Sequence, residues 1–313
     1  ESLIADAIEL AKSKKIVVAA IGLTEDYECE GYDRSHLDLP AAQNKLIEAL
    51  CAACDNVIVV LYGGSPVTMP WIDKVSAVLN AYLPGEAGGE AVCRLLYGKV
   101  NPSGKLAETY PLALEDYLAS RYFGMGPRVV EHRESIYVGY RYYDSAEKPV
   151  LFPFGFGLSY TTFDYSDLKI EGNKVSFTVT NTGERDGAEV CQLYIGAKNS
   201  RVFRAKKELK RFAKVFLEKG QSTRVSFTLD DRCFAFYNTE INDWYVENCD
   251  YEILVGASSR DIRLKGLFTI STRPVAPMPD YVSKCPSYFD IGAQSEISDE
   301  EFSRLYGKPL PSN

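Results

Sequence analysis

Histidine is almost missing: His36 and His132 are the only two in 313 residues. That rules against a histidine-rich metal centre and leaves eight cysteines to be explained without one, because a zinc site wants four ligands in close groups. Cys51 and Cys54 lie one helical turn apart, whereas Cys29, Cys93, Cys191, Cys233, Cys249 and Cys285 are scattered with no second close pair. They read as reduced, small buried hydrophobes of a cytoplasmic protein, not as a disulfide framework, which a chain with this much core does not need. Neither a metal nor any other cofactor is expected. No apolar run approaches the roughly 20 residues of a membrane span, so membrane is not an expected partner. Excess positive charge is lacking too: 35 Lys and Arg stand against 43 Asp and Glu, a net charge of −8. Nucleic acid is therefore not the expected partner, since phosphate binding needs a basic face. Glu1-Ser2-Leu3-Ile4 lacks the basic-then-apolar pattern of a secretory leader. With no initiator Met, position 1 reads as an internal point of a longer chain, and export stays open.

Common catalytic signatures are missing as well. Gly85, Gly88 and Gly89 have neither G-x-G-x-x-G spacing nor the Lys-Ser/Thr end of a P-loop. Tight turning and close packing explain them and Gly63-Gly64-Ser65-Pro66 better than phosphate binding. Ser65 is unsupported as a nucleophile, because its surroundings are not G-x-S-x-G and no well-placed His accompanies it.

What is present is a soluble globular composition, 46% hydrophobic and 25% charged, long enough for two domains. Leu3, Ile4, Ala7, Ile8 and Ala11 recur at helical spacing. Ile16 to Leu23 is apolar without alternation, which predicts a strand buried on both faces. A helix from about Ala41 to Cys54 follows, then strands at Val57 to Tyr62 and Ala77 to Leu83, a helix at Glu86 to Tyr97 and a further strand at Lys105 to Tyr110. Alternating units with short connections predict a parallel sheet with helices on both sides. After Tyr165 the period becomes two: Val175, Phe177 and Val179 alternate with polar residues, and similar strands are expected at Val190 to Ile195, Arg224 to Leu229, Phe234 to Tyr237, Tyr251 to Val255 and Ile262 to Ile270. The fold class is thus α/β followed by all-β. The expected domains are 1–111 (α/β), 112–163 (an aromatic-rich connecting segment that seals an interface more readily than it stacks on a ligand), 164–273 (a β-sandwich) and 274–313 (an extended tail with a helix start at Ser298). The basic run Arg201, Arg204, Lys206, Lys207, Lys210, Arg211 and Lys214 is expected to be a solvated or interdomain face in preference to an anion site.

The stretch most suggestive of chemistry is Tyr27-Glu28-Cys29-Glu30-Gly31-Tyr32-Asp33-Arg34. It leaves the carboxyl end of the first strand, where open α/β sheets bind ligands. Six carboxylates lie between Glu25 and Asp38, balanced by Arg34 and His36. Such crowding raises at least one proton affinity, and a carboxyl group held protonated can act as an acid. The plain alternative is a solvated acidic loop. Spacing does not choose between Glu28 and Glu30, which would point the same way if the loop were extended.

This loop resembles that of the family 3 glycoside hydrolases, retaining β-glucosidases and β-xylosidases, in which an acidic residue directly before Gly-(Tyr/Phe)-Asp-Arg is the general acid/base. The resemblance continues in order through Gly64-Ser65-Pro66-Val67, Pro84-Gly85-Glu86-Ala87-Gly88-Gly89, Asn101-Pro102-Ser103-Gly104-Lys105-Leu106 and Phe152-Pro153-Phe154-Gly155-Phe156-Gly157-Leu158-Ser159-Tyr160. A weaker resemblance to the family's fibronectin type III-like domain extends to about Arg273. The resemblance implies a parallel-sheet α/β sandwich with a fibronectin type III-like β-sandwich, Glu30 as acid/base, and Glu28, Asp33 and Arg34 as loop-supporting or substrate-near residues. The implied substrate is a β-glucoside. The family's Asp nucleophile sits on a (β/α)8 barrel, and about four parallel-type strands are too few for one, so the barrel is expected elsewhere in the same parent chain or on a partner chain, and this chain alone is expected to be inactive. Alternatives are a non-catalytic carbohydrate-binding or scaffold module and β-xylosidase specificity. Oligomeric state is left open, a homo-oligomer included.

Overall fold

A computed structural model describes residues 2–126, 128–292 and 296–311. It divides into two compact units, residues 1–100 with 110–114, and residues 101–109 with 115–313.

In the first unit α1 (Ser2–Lys12), β1 (Val17–Gly22), α2 (Ala41–Ala53), β2 (Val57–Tyr62), β3 (Ala77–Tyr82) and α3 (Gly88–Leu96) follow in order. The strands form a parallel sheet in the order β1-β2-β3, with Val17 opposite Val57 and Ile58 opposite Ala77. Ala11 of α1 and Leu50 and Cys54 at α2 close over Ala19 and Val57. Burial of β1 differs from the expectation. Ala19 and Ile21 are buried, but Val18 is 48% exposed and Ala20 is exposed. The face opposite the helices is covered at β2, where Val60 is buried, and open at the edge strand β1. An unbroken apolar run reports the absence of polar residues, not what packs on each side. The strand expected at Lys105 to Tyr110 is also absent. Leu106 instead exchanges hydrogen bonds with a turn, its N–H donating to Phe156 O at 2.8 Å and its carbonyl accepting from Gly155 N at 2.8 Å. Three parallel strands, not about four, are therefore present among the described residues.

In the second unit a 3-10 turn at Leu118–Arg121 is followed by α4 (Tyr140–Ser145), β4 (Phe163–Glu171), β5 (Lys174–Asn181), β6 (Gly187–Ala197), β7 (Glu208–Leu217), β8 (Ser222–Thr228), β9 (Phe236–Asn238), β10 (Asp243–Tyr245), β11 (Asp250–Gly256), β12 (Ile262–Thr269), α5 (Tyr281–Lys284) and α6 (Asp299–Tyr306). Two antiparallel sheets, β4-β5-β8 and β12-β11-β6-β7, enclose Val175, Phe177 and Val179 against Cys191, Leu193, Ile195, Tyr251, Ile253 and Val255. Strands β4, β7 and β10 were not expected. In β7 the charges hide the alternation: Phe212 and Phe216 point outward and Leu217 inward.

Most of the basic run is paired within this unit. Lys207 and Arg260 meet the buried Asp144 at 2.9 and 2.7 Å, Arg204 and Lys210 meet Glu208 at 3.6 and 3.0 Å, and Arg211 meets Asp230 at 2.9 Å. Tyr137, Tyr140, Tyr142 and Tyr143 of the connecting segment are buried as well, whereas Phe123 and Tyr160 are exposed. Tyr140 stacks on Phe154 with centroids 4.6 Å apart, and Tyr137, Tyr142 and Tyr143 bury with tail residues Cys285, Tyr288 and Ile297. The tail helix α6 is capped by Ser298, whose side chain accepts from Glu301 N. All eight cysteines are free, but only Cys54, Cys191, Cys233 and Cys285 are buried. Cys29 and Cys93 are exposed, so the expectation of a uniformly buried set fails where those residues fall in a loop and on the outer face of α3.

Candidate active site

The loop 23–40 begins at the carboxyl end of β1, and the segment 63–68 begins at the carboxyl end of β2. Parallel pairing of Gly22 with Tyr62 sets the two side by side. Gln43 at the start of α2 grips the exit of β1, its side chain donating to Gly22 O at 2.8 Å and accepting from Gly22 N at 3.0 Å. Tyr27 and Glu28 N–H groups donate to Thr24 O at 2.8 and 2.9 Å, which turns the chain back toward the sheet.

Three attachments then fasten the loop to 64–68. The Glu28 carboxylate accepts from Gly64 N at 2.8 Å and from the Ser65 hydroxyl. Arg34 Nη2 donates to Pro66 O at 2.8 Å. Thr68 N–H donates to Leu37 O at 2.9 Å, and the Thr68 hydroxyl donates to Asp38. Between the first two attachments the chain folds sharply through an isolated antiparallel bridge from Cys29 to Tyr32, with Gly31 N 3.3 Å from Cys29 Sγ. The loop is not extended, so the two glutamates have different fates. Glu28 is half-buried and hydrogen-bonded. Glu30 is exposed at the tip and has no hydrogen bond or ion pair among the described residues.

Asp33 is likewise exposed and unpartnered among the described residues. Arg34 makes no carboxylate pair among the described residues. Its partner is a main-chain carbonyl, and its buried Nη1 has no hydrogen-bond partner among the described residues. Sequence reasoning missed Gly64, Ser65, Pro66 and Gln43 as parts of this site, treating the first three as turn and packing residues. Adjacency of two parallel strands was the available signal, since their outgoing loops must be neighbours. Among the described residues no group of three or more His, Cys, Asp or Glu is arranged to hold a metal ion, and no helix is long and apolar enough to cross a membrane. A groove of about 300 Å³ lined by Arg232, Trp244, Tyr245, Arg273 and Val275 belongs to the second unit and contains none of these residues.

Comparison with known proteins gives this loop its context. Residues 1–160 match the glycosyl hydrolase family 3 C-terminal domain, and residues 189–259 match the fibronectin type III-like domain. The chain belongs to glycoside hydrolase family 3. Thermostable beta-glucosidase B of Acetivibrio thermocellus is 50% identical to this family 3 chain over 273 residues, covering 85% of it and 36% of the relative. An exo-α-(1→6)-L-arabinopyranosidase of Bifidobacterium breve is 43% identical, covering 83% and 35%. Among solved structures, the family 3 β-glucosidase of Bifidobacterium adolescentis superposes with a TM-score of 0.85 at 41% identity, covering 90% of this chain and 43% of the other. The Kluyveromyces marxianus β-glucosidase in complex with glucose gives 0.82 at 40%, covering 86% and 33%. The chain spans less than half the length of each and corresponds to a C-terminal portion of the family 3 enzymes.

Proposed function

We propose that this chain supplies the general acid/base of a retaining, exo-acting β-glucosidase, with Glu30 as the proton-transferring group. The observation that carries this reading is the contrast within one loop. Glu28 is consumed by hydrogen bonds to Gly64 and Ser65, while Glu30 is held at the tip between two fastened points with its carboxyl group free for a substrate.

Retaining hydrolysis needs two carboxyl groups roughly 5 Å apart. In the first step a carboxylate attacks the anomeric carbon while Glu30 protonates the departing glycosidic oxygen, leaving a glycosyl-enzyme ester and an ionised Glu30. In the second step Glu30 takes a proton from water, the resulting hydroxide attacks the same carbon, and the ester is released with Glu30 reprotonated. The attacking carboxylate is proposed to be an Asp on a (β/α)8 barrel outside these residues, because three parallel strands fall far short of a barrel of roughly 250 residues. The remaining regions, including the fibronectin type III-like sandwich, are proposed to be structural. A second glycone reading, an α-L-arabinopyranoside, is favoured by the arabinopyranosidase relative.

The test is the leaving-group dependence of the barrel-completed enzyme. Glu30→Gln should depress kcat/KM on cellobiose, whose leaving group is poor, by at least about 100-fold, within the range of general acid catalysis. The loss on an activated dinitrophenyl glucoside should be far smaller. Equal losses on both would move the acid elsewhere, and a panel of aryl glucosides, xylosides and arabinopyranosides reads the glycone.

A further inference from the structure

We propose that Ser65 is a positioning residue for this reaction, acting through Glu28. The inference rests on the acid/base reading of Glu30 and extends it to the segment leaving β2. Both oxygens of the Glu28 carboxylate are occupied, one by Gly64 N–H at 2.8 Å and the other by the Ser65 hydroxyl. Hydrogen bonds to an ionised acceptor are the strong kind. Ideal Cβ positions at Gly63 and Gly64 lie 3.7 and 3.6 Å from the same carboxylate, so the group is seated against main chain and not swinging in solvent.

The consequence for Glu30 is geometric. Five residues separate Glu28 from Arg34, and both ends are tied to the same short segment, Glu28 to Gly64 and Ser65, Arg34 to Pro66. Glu30 stands between these ties. With the Ser65 hydroxyl removed, one Glu28 oxygen loses its partner and the amino-terminal tie weakens, leaving the Thr24 turn and the Tyr32 hydroxyl, which donates to Glu25 O at 2.8 Å, as restraints on that side. Displacement of a reacting group by about 1 Å can cost on the order of 100-fold in rate. Neither Ser65 nor Glu28 transfers a proton in this scheme.

Two measurements test it. In the 313-residue chain itself, hydrogen exchange across residues 24–34 should quicken by roughly tenfold in Ser65→Ala and in Glu28→Ala, and stay near the starting rate in Ser65→Thr, which keeps the hydroxyl. In the barrel-completed enzyme, Ser65→Ala should lower kcat/KM on cellobiose roughly five- to tenfold and Glu28→Ala more, with the double variant no worse than Glu28→Ala alone. The alkaline limb of the pH profile should persist in all of these and vanish only in Glu30→Gln. Multiplicative losses in the double variant, unchanged exchange, or failure of Ser65→Thr to restore activity would overturn the positioning role. Loss of the alkaline limb in Glu28→Ala would make Glu28 the acid. Full activity in Glu30→Gln would overturn the acid/base reading itself, an outcome separable from the exchange result.

Discussion

Replacing Gly22 by Ala should unfasten the site from beneath. Gly22 ends β1 opposite Tyr62 of β2, and a Cβ there would lie 2.0 Å from Tyr62 O and 2.8 Å from Tyr62 C and Cβ. These are main-chain or near-main-chain atoms, which cannot rotate aside. Relief requires β1 to move away from β2 by about 1 Å, and overpacking of this kind costs about 1–3 kcal/mol. Moving β1 also strains the two hydrogen bonds between Gly22 and Gln43, at 3.0 and 2.8 Å, each contributing about 1 kcal/mol. The combined loss should be about 3 kcal/mol, on the order of 15 °C in Tm for a unit of this size. Trp71 is fully buried in the same unit and Trp244 lies in the other. Urea unfolding followed by tryptophan fluorescence in a Trp244→Phe background therefore reads the first unit. Gly89→Ala is the control, because a Cβ there meets nothing within 4 Å, and in the first turn of α3 it should stabilise by about 0.5 kcal/mol. A Gly22→Ala protein within 0.5 kcal/mol of the parent, on the scale of an ordinary surface change, would refute the close approach of the two strands.

Arg133 ties the tail to the connecting segment, donating to Ile297 O at 2.9 Å, pairing with Asp299 at 2.6 Å and stacking over Tyr122 and Phe302. Arg133→Ala also unpairs the largely buried Glu131, which Arg133 meets at 2.5 Å, and so should cost roughly 3 kcal/mol, the scale of a broken buried pair, and expose residues 296–311 to limited proteolysis, and an unchanged digest would count against the contact. Glu208 is raised by burial but lowered more by Lys210, Arg204 and Arg141, so its carboxyl lies below the ordinary range. A depressed folded value means stability present above the usual carboxylate pKa of about 4.3 and lost as pH falls through the folded value. The stability gap between the parent and Glu208→Gln should thus be steady at pH 5–7 and shrink below about pH 4, and a gap constant down to pH 3 would contradict the pairing. Titration with a thiol reagent should find Cys29 and Cys93 fast and Cys191 inert until unfolding, since burial pushes that thiol up to about 12.

The frame of the first unit was legible because β1 and β2 are uncharged, β-branched runs with turn residues after them, and α2 begins directly after Pro40. One-sided exposure of β1 was not legible, because Val18 and Ala19 differ in surroundings and not in polarity. Strand β7 was obscured by its lysines and arginines, among them Lys210, which pairs with Glu208, and Arg211, which pairs with Asp230. Glu30 stood out through the Gly-Tyr-Asp-Arg that follows it, whereas carboxylate crowding alone offered six candidates. The distinction between Glu28 and Glu30 depends on Gly64 and Ser65, 36 and 37 residues downstream of Glu28, and no local pattern in the loop announces it.

The identity of the proton-transferring group is tested most directly by azide trapping in the barrel-completed enzyme carrying Glu30→Gly, with a dinitrophenyl glucoside as donor. Azide should restore turnover at least tenfold and yield β-glucosyl azide, identified by its anomeric coupling in NMR, and Glu28→Gly should give neither effect. Trapping in Glu28→Gly, or no rescue in Glu30→Gly, would contradict the assignment of Glu30.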